Sequence, residues 1–393
     1  MSFLYTVFSI ALGTLLIAGV VEQRRHQRNL DSIPSRVLVN GIRGKSSVTR
    51  LCAGALRGGG LTVVAKTTGT AARFIHPDAT EEPVHRKFDI ANVVEQIGIV
   101  RRAAAAQPDV LVMECMAVMP PLQEVNQTKL IQSTIGVLSN VREDHLQEMG
   151  PTLQDVARSL SRSMPVGGIC VTAERDLLHI LQQEADKRSC RLIAVDPDDI
   201  TDEDMSGFRH HSFKENVAIS LEVARLLGIP RDMALKGMWQ APPDPGVLTV
   251  ESYRFGSKSL HFANVFAAND PRSTVMNVQE LIERQQIQSP VFTLINCRPD
   301  RVERNGQMGE IVPELLTDKL FVIGHPSKSA LVKVPSGWDG SVFDLGGANF
   351  PVEDVLRTIV EQIDQEASLV AIGNIHGQGE ILLRHLERTG VPC

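Results

Sequence analysis

Aromatic side chains are scarce in this 393-residue chain, at 4% of the total with two tryptophans and two tyrosines. Positive charge is not in excess either: 40 lysines and arginines face 46 aspartates and glutamates, for a formal net charge of −6. Tracking a nucleic-acid backbone needs a basic stripe, and holding single strands needs aromatic platforms. Both shortages argue against nucleic acid as a partner. Cysteine is sparse and unpatterned. Cys52, Cys115, Cys170, Cys190, Cys297 and Cys393 form no C-x-x-C pair, which speaks against a disulfide framework or a structural zinc site and for reduced thiols. Several lie in apolar runs ("VMEC", "GGICV", "LINC"), where cysteine packs as a small hydrophobe. Neither an internal repeat nor a low-complexity segment is present.

Charge is missing altogether from residues 3–21, "FLYTVFSIALGTLLIAGVV". About 20 apolar residues span a bilayer as a helix, and a cleavable signal would have a basic start and a shorter apolar region. Arg24, Arg25 and Arg28 follow the run at once, and an arginine bias on that side orients the rest of the chain toward the cytoplasm. The expectation is a single-pass anchor with a basic flank over residues 1–30, at the cell membrane, with the bulk of the chain cytoplasmic. A helix buried against protein is the alternative.

From residue 36 onward, short apolar β-branched runs alternate with helical periods. "RVLVN", "LTVVA", "DVLVMEC", "TIGVLSNV", "GGICVTA" and "RLIAVD" read as buried strands, and continuous apolar strands separated by helices predict an α/β fold with a parallel sheet covered on both faces. "APPDPG" at 241–246 interrupts the pattern, which then restarts with "LHFANVF", "VFTLINC", "LFVIG" and "LVAIGN" and helices near 272–285, 351–365 and 377–389. Residues 31–240 are therefore expected to form one parallel-sheet domain, which the glycine-lysine loop at 40–47 marks as P-loop-type and ATP-binding, and 241–393 a smaller Rossmann-like α/β domain.

The chemistry begins at "NGIRGKSS", 40–47, between a strand and a helix that starts near Ser46. Backbone N–H groups of Gly41 through Ser46 can face a phosphate at a helix N-terminus, with Lys45 to neutralise its oxygens and the Ser46 hydroxyl to hold Mg²⁺, so that Gly41, Arg43, Gly44, Lys45, Ser46 and Ser47 are the loop's candidate nucleotide contacts. The loop is short by one glycine of the G-x-x-x-x-G-K-[ST] pattern, since Val39 stands where its first glycine would be. "KTTGT" at 66–70 brings Thr68 to the same sheet edge, and Glu114 and then Asp144 and His145 end or follow further strands. Ligands bind at the carboxyl edge of such sheets, and a carboxylate at a strand end beside a phosphate loop is placed for magnesium.

These motifs, in this order, resemble the Mur ligase superfamily, which includes folylpolyglutamate synthase. "NGIRGKSSVTR", "KTTGTAAR", "ECMAV", "EDHLQEMGPTL", "APPDPG", "FAANDPRST", "NCRPDRV" and "GNIHG" are similar, across most of the chain, to the ligase-subunit family of poly-γ-glutamate synthases. The resemblance implies ATP-dependent amide formation, in which a glutamate γ-carboxylate is phosphorylated and then attacked by an amine. It casts Lys45, Glu114 and His145 as catalytic and Ser46, Thr68, Glu114 and His145 as Mg²⁺ ligands. Asn216 becomes the adenine contact, with Asn269 and Arg298 as further nucleotide contacts from the second domain. It also implies glutamate and its growing polymer as substrates and small integral-membrane subunits as partners, with self-association left open.

The chain departs from the superfamily in several places. Ser212 stands where a histidine is usual, and no lysine occurs between Lys129 and Lys187 to supply the carbamylated ligand of many Mur enzymes. "PGVL" lacks the arginine of the junction motif. Two alternatives stay open: a ligase adding glutamate to a small folate-like acceptor, and a non-catalytic nucleotide-dependent scaffold of a capsule synthesis complex.

Overall fold

A computed structural model describes residues 2–68, 72–84, 92–208, 212–244, 248–266, 268, 271–347, 350–389 and 391–392. The chain divides into two compact units, Met1–Pro242 and Pro243–Cys393.

The first unit opens with helix α1, Ser2–Asp31. Its uncharged part, from Phe3 to Val21, is exposed at every position but Gly13, and it is long and apolar enough to cross a membrane. The last turns are different. Leu30, and Ile33 just beyond the helix, are fully buried in a cluster with Leu38, Val64, Phe74, Ile99 and Val100, and the His26 ring shares a hydrogen bond with the Leu130 carbonyl at 3.0 Å. Arg36 donates to the carbonyls of Leu30, Ile33, Ile131 and Gln132, so one guanidinium satisfies backbone acceptors that helix ends leave open. The segment anticipated as a separate anchor over 1–30 is thus continuous with the folded unit at its C-terminal end.

Eight strands follow: β1 (Ser35–Asn40), β2 (Val63–Lys66), β3 (Arg73–Ile75), β4 (Glu81–Pro83), β5 (Val110–Glu114), β6 (Ile135–Leu138), β7 (Ile169–Thr172) and β8 (Arg191–Ala194). They form one sheet in the order β4-β3-β2-β5-β1-β6-β7-β8. All pairings from β2 to β8 are parallel, while β3 and β4 add as an antiparallel edge. That edge departs from the all-parallel expectation. Its strands are three residues each, too short for a periodic signal.

β1 is central, and its alternate residues serve two cores. Val37 and Val39 pack under α2 (Lys45–Gly58) and the helices Lys214–Leu226 and Arg231–Trp239, whereas Leu38 faces the cluster under α3 (Glu95–Ala105). A strand covered on both faces must be apolar at every position, which is why "RVLV" shows no alternation. Helix α2 approaches Arg231–Trp239 so closely that a methyl group on Gly54 would lie 2.6 Å from the Gly237 carbonyl oxygen.

The second unit holds β9 (Thr249–Phe255), β10 (Lys258–Asn264), β11 (Val291–Cys297), β12 (Lys319–Gly324), β13 (Ser341–Asp344), β14 (Glu366–Gly373) and β15 (Val391–Pro392). Their order is β13-β12-β11-β14-β10-β9-β15. The five strands from β13 to β10 run parallel, and β9 and β15 attach antiparallel. Two apolar clusters, one around Leu294 and Phe321 and the other around Ile295 and Val322, cover its two faces. The expected helices lie at Pro271–Glu283, Val352–Glu361 and Gln378–Thr389.

Candidate active site

The register of the first sheet decides what meets the phosphate loop. Val39 of β1 lies opposite Glu114 of β5 and Val137 of β6, so the loops after these three strands leave the sheet side by side. After Asn40 the chain turns through Gly41 at φ 133° and Gly44 at φ 76° before α2 begins at Lys45. Only glycine enters that region freely, and space forbids a side chain as well: a Cβ on Gly41 would stand 2.1 Å from Ser139 Oγ.

Not every N–H of the loop is available to a phosphate. The Ile42 N–H donates to the Asn140 carbonyl at 3.3 Å and the Arg43 N–H to Asn140 Oδ1 at 3.0 Å, while Ser139 Oγ and Asn140 Nδ2 donate to the Arg43 carbonyl. The expectation of inward N–H groups at each position from Gly41 to Ser46 is corrected at these two residues. Asn140 and Ser139 hold the loop's shape, a role the sequence did not indicate. Lys45 Nζ donates to the carbonyls of Gly41 and Ile42 at 2.9 and 3.2 Å, which lays the ammonium across the loop. Ser47 follows half-buried in the first turn of α2, and Arg43 is exposed and ion-paired to Asp144 at 3.5 Å.

Glu114 is the focus. It is 2% exposed, and its Oε2 accepts from Ser46 Oγ and from the Thr68 N–H, each at 2.7 Å. A buried carboxylate is costly without such donors. Glu114, Thr68, Lys45, Gly41 and His145 line one cavity of about 230 Å³, with Cys115 and Met149 in its wall. Burial pushes the Cys115 thiol above its ordinary pKa, so it enters the site as a neutral wall. His145 stands in the left-handed region at φ 51°, its N–H donating to Asp144 Oδ1 at 2.9 Å. A non-glycine residue in that region is strained, and such strain collects at functional sites.

Among the described residues no group of three or more His, Cys, Asp or Glu side chains converges as a metal site would. One carboxylate with a hydroxyl beside it is nevertheless what Mg²⁺ uses when phosphate oxygens and water complete its shell. The residues therefore fit a metal that arrives with a nucleotide.

A second cavity, of about 440 Å³, adjoins the loop on its other side and is lined by Gly44, Asn140, Ala173, Pro197, Phe213 and Asn216 among others. Asn216 is buried against Gly44, where an added Cβ would be 3.2 Å from Asn216 Oδ1. Glu174 in the same wall accepts from the N–H groups of Val141, Asp176 and Leu177, tying the loop after β7 to the loop after β6. In the second unit, Arg298 pairs with Asp300 at 2.8 Å and its N–H meets Asn305 Oδ1. Asn269 lies outside the described residues.

Residues 39–232 match the Mur ligase middle domain, and 250–389 match the poly-gamma-glutamate synthase CapB C-terminal domain. A Bacillus subtilis (strain 168) protein named PGA synthase CapB is 36% identical over 384 residues, covering 97% of this chain and 98% of its own. The chain belongs to the CapB family. A second CapB, the capsule biosynthesis protein of Bacillus anthracis, is 36% identical over 386 residues, covering 96% of this chain and 82% of that one.

Solved structures share the CapB-family fold at low identity. E. coli FolC in complex with ADP has a TM-score of 0.63 at 14% identity, covering 93% of this chain and 92% of that one. A bifunctional folylpolyglutamate synthase/dihydrofolate synthase described with Mn, AMPPNP and L-glutamate bound gives 0.61 at 14%, covering 93% of each. As a CapB-family chain with a Mur ligase middle domain, this protein is an ATP-dependent amide ligase.

Proposed function

We propose that this chain polymerises glutamate into poly-γ-glutamate, using ATP to form a γ-carboxyl phosphate and releasing ADP and phosphate. The observation that carries the reading is the convergence of Ser46 and Thr68 on the one buried carboxylate of Glu114, in a cavity also lined by Lys45 and His145. The near full-length kinship to a protein named PGA synthase supplies the substrate class.

A carboxylate is a poor electrophile, and phosphorylation gives it a leaving group. The γ-carboxylate oxygen attacks the γ-phosphorus as the bond to ADP breaks. The amine of a second glutamate then attacks the acyl carbon, phosphate departs and the ammonium proton is released. Each step moves negative charge, so the protein's part is positioning and neutralisation. Lys45, freed from the Gly41 and Ile42 carbonyls, reaches the phosphate oxygens. Ser46 and Glu114, with Thr68 and His145 beside them, would hold Mg²⁺, which screens the phosphates when bound. Asn216 faces the base in the larger cavity. The family resemblance adds Asn269 and Arg298 as candidate nucleotide contacts.

The reading includes the cell membrane. Helix α1 serves as a single-pass anchor, with Arg24, Arg25 and Arg28 keeping the catalytic units cytoplasmic. Its partners would be small integral-membrane subunits that receive the polymer. Membranes carrying the full chain and such subunits, given ATP, Mg²⁺ and glutamate, should release ADP and phosphate with polymer, and hydroxylamine should trap the acyl phosphate as a γ-hydroxamate. Release of AMP and pyrophosphate would overturn the acyl-phosphate route. Lys45→Ala should lower turnover by about 10²–10³-fold, the usual loss for a residue that stabilises transition-state charge.

A further inference from the structure

One buried charge beside this site has no part in the chemistry above. Lys66, the last residue of β2, is fully buried, and its Nζ lies 2.7 Å from Oε1 of Glu95 in the first turn of α3. Taking two ions out of water costs several kcal/mol each, and well-packed apolar side chains in place of such a pair are often neutral or stabilising. Lys66 points to the same side of the sheet as Val64, which packs with Leu38, Leu111, Ile99 and Val100. Packing alone would favour an apolar residue there.

The location of the pair suggests its use. Lys66 lies in register with Met113, the residue before Glu114. The next residue, Thr67, is locked to Arg73 by two hydrogen bonds, its N–H to the Arg73 carbonyl at 2.9 Å and the Arg73 N–H to Thr67 Oγ1 at 3.1 Å. Thr68 then donates its N–H to Glu114. The ion pair therefore joins the end of β2 to the start of α3 directly beneath the turn that delivers Thr68.

We infer that the Lys66–Glu95 ion pair positions the Thr67–Thr68 turn, and through it sets Glu114 and Ser46 for the phosphate and metal end of the site. Lys66 is a positioning residue: its burial keeps it from substrate, and it acts through Thr68 and Glu114. Its directional charge fixes the turn where an apolar contact would let it slide. The inference rests on Glu114 being the metal-directed carboxylate, and the test separates the two.

The full chain in detergent is titrated with Mn²⁺ and AMPPNP, followed by the Mn²⁺ paramagnetic resonance signal, alongside ADP release and urea unfolding. Two variants are compared with the wild type: Glu95→Gln, which keeps shape and removes charge, and the double variant Lys66→Met with Glu95→Leu, which exchanges the pair for packing. The double variant should unfold at the wild-type midpoint. Both variants should bind Mn²⁺–AMPPNP about 10-fold more weakly and lose about 10–100-fold in kcat, the range for residues that orient metal ligands, with KM for glutamate unchanged. A double variant that binds and turns over like the wild type would overturn the inference, and so would one that fails to fold, because the pair would then serve folding. Glu114→Gln is the control. If it keeps full Mn²⁺–AMPPNP affinity, the reading of Glu114 fails and takes the inference with it. If it loses affinity while the pair variants do not, only the inference fails.

Discussion

At Gly41 the backbone stands at φ 133° with Ser139 Oγ where a Cβ would go, so conformation and space both demand glycine. Gly41→Ala should destabilise the first unit by about 1–3 kcal/mol, the usual strain cost, and abolish nucleotide binding; wild-type binding by calorimetry would contradict this. The phosphate loop could be read from sequence because its residues are consecutive and of distinctive type. Glu114 could be read because it ends an apolar run, and Thr68 because it lies in a polar stretch just after one. The grip of Asn140 on two loop N–H groups could not, because its partners Ile42 and Arg43 lie about a hundred positions away. Arg50, buried and ion-paired to the half-buried Glu81, and Lys66 with Glu95 escaped for the same reason. A pairing between distant polar residues leaves no periodic trace.

Single elements were legible in proportion to their length and apolar content. The strands under "RVLV" and "DVLVME" and the 30-residue helix α1 carry strong signals, whereas the β3–β4 edge has three residues per strand and none. Helix α1 shows two characters along one rod. Its first two-thirds are exposed, and its end is cemented by Leu30, Arg36 and the His26 contact with Leu130. Leu30→Ala should therefore cost about 2–5 kcal/mol, as buried leucine truncations do. Leu16→Ala, at a site 62% exposed, should leave the urea midpoint of the detergent-solubilised chain nearly unchanged. Equal shifts for the two would show that the whole helix packs on protein.

For the whole molecule, the buried thiols set a limit on alkaline stability. Burial raises Cys52 to about 12 in the first unit and Cys297 to about 12 in the second, with Cys190 raised to about 11. Folded values above the unfolded one near 8.5 mean that the folded state keeps protons the unfolded chain gives up. Stability from these groups is complete below about pH 8.5 and declines as pH climbs toward the folded values. The urea midpoint of both units should fall steadily between about pH 9 and 11, and replacing the three cysteines with alanine should flatten that slope. In native protein at pH 8, a thiol-disulfide reagent should leave Cys52, Cys115, Cys170, Cys190 and Cys297, all free and buried, unmodified until denaturant is added.

By itself the sequence determined the α/β class, the apolar N-terminal helix, the glycine-lysine loop between strand and helix, and the strand-ending carboxylate, because each is written in adjacent residues whose spacing follows the period of one element. Tertiary structure alone decided which ends meet. The parallel register that sets Val39 beside Glu114 brings Ser46 and Thr68 onto one carboxylate. The packing of α3 over β2 buries Lys66 against Glu95, and the loop after β6 takes two N–H groups from the phosphate turn. Those contacts depend on how strands are ordered in the sheet, a choice made by burying all the apolar faces at once, and no single stretch of the chain encodes it.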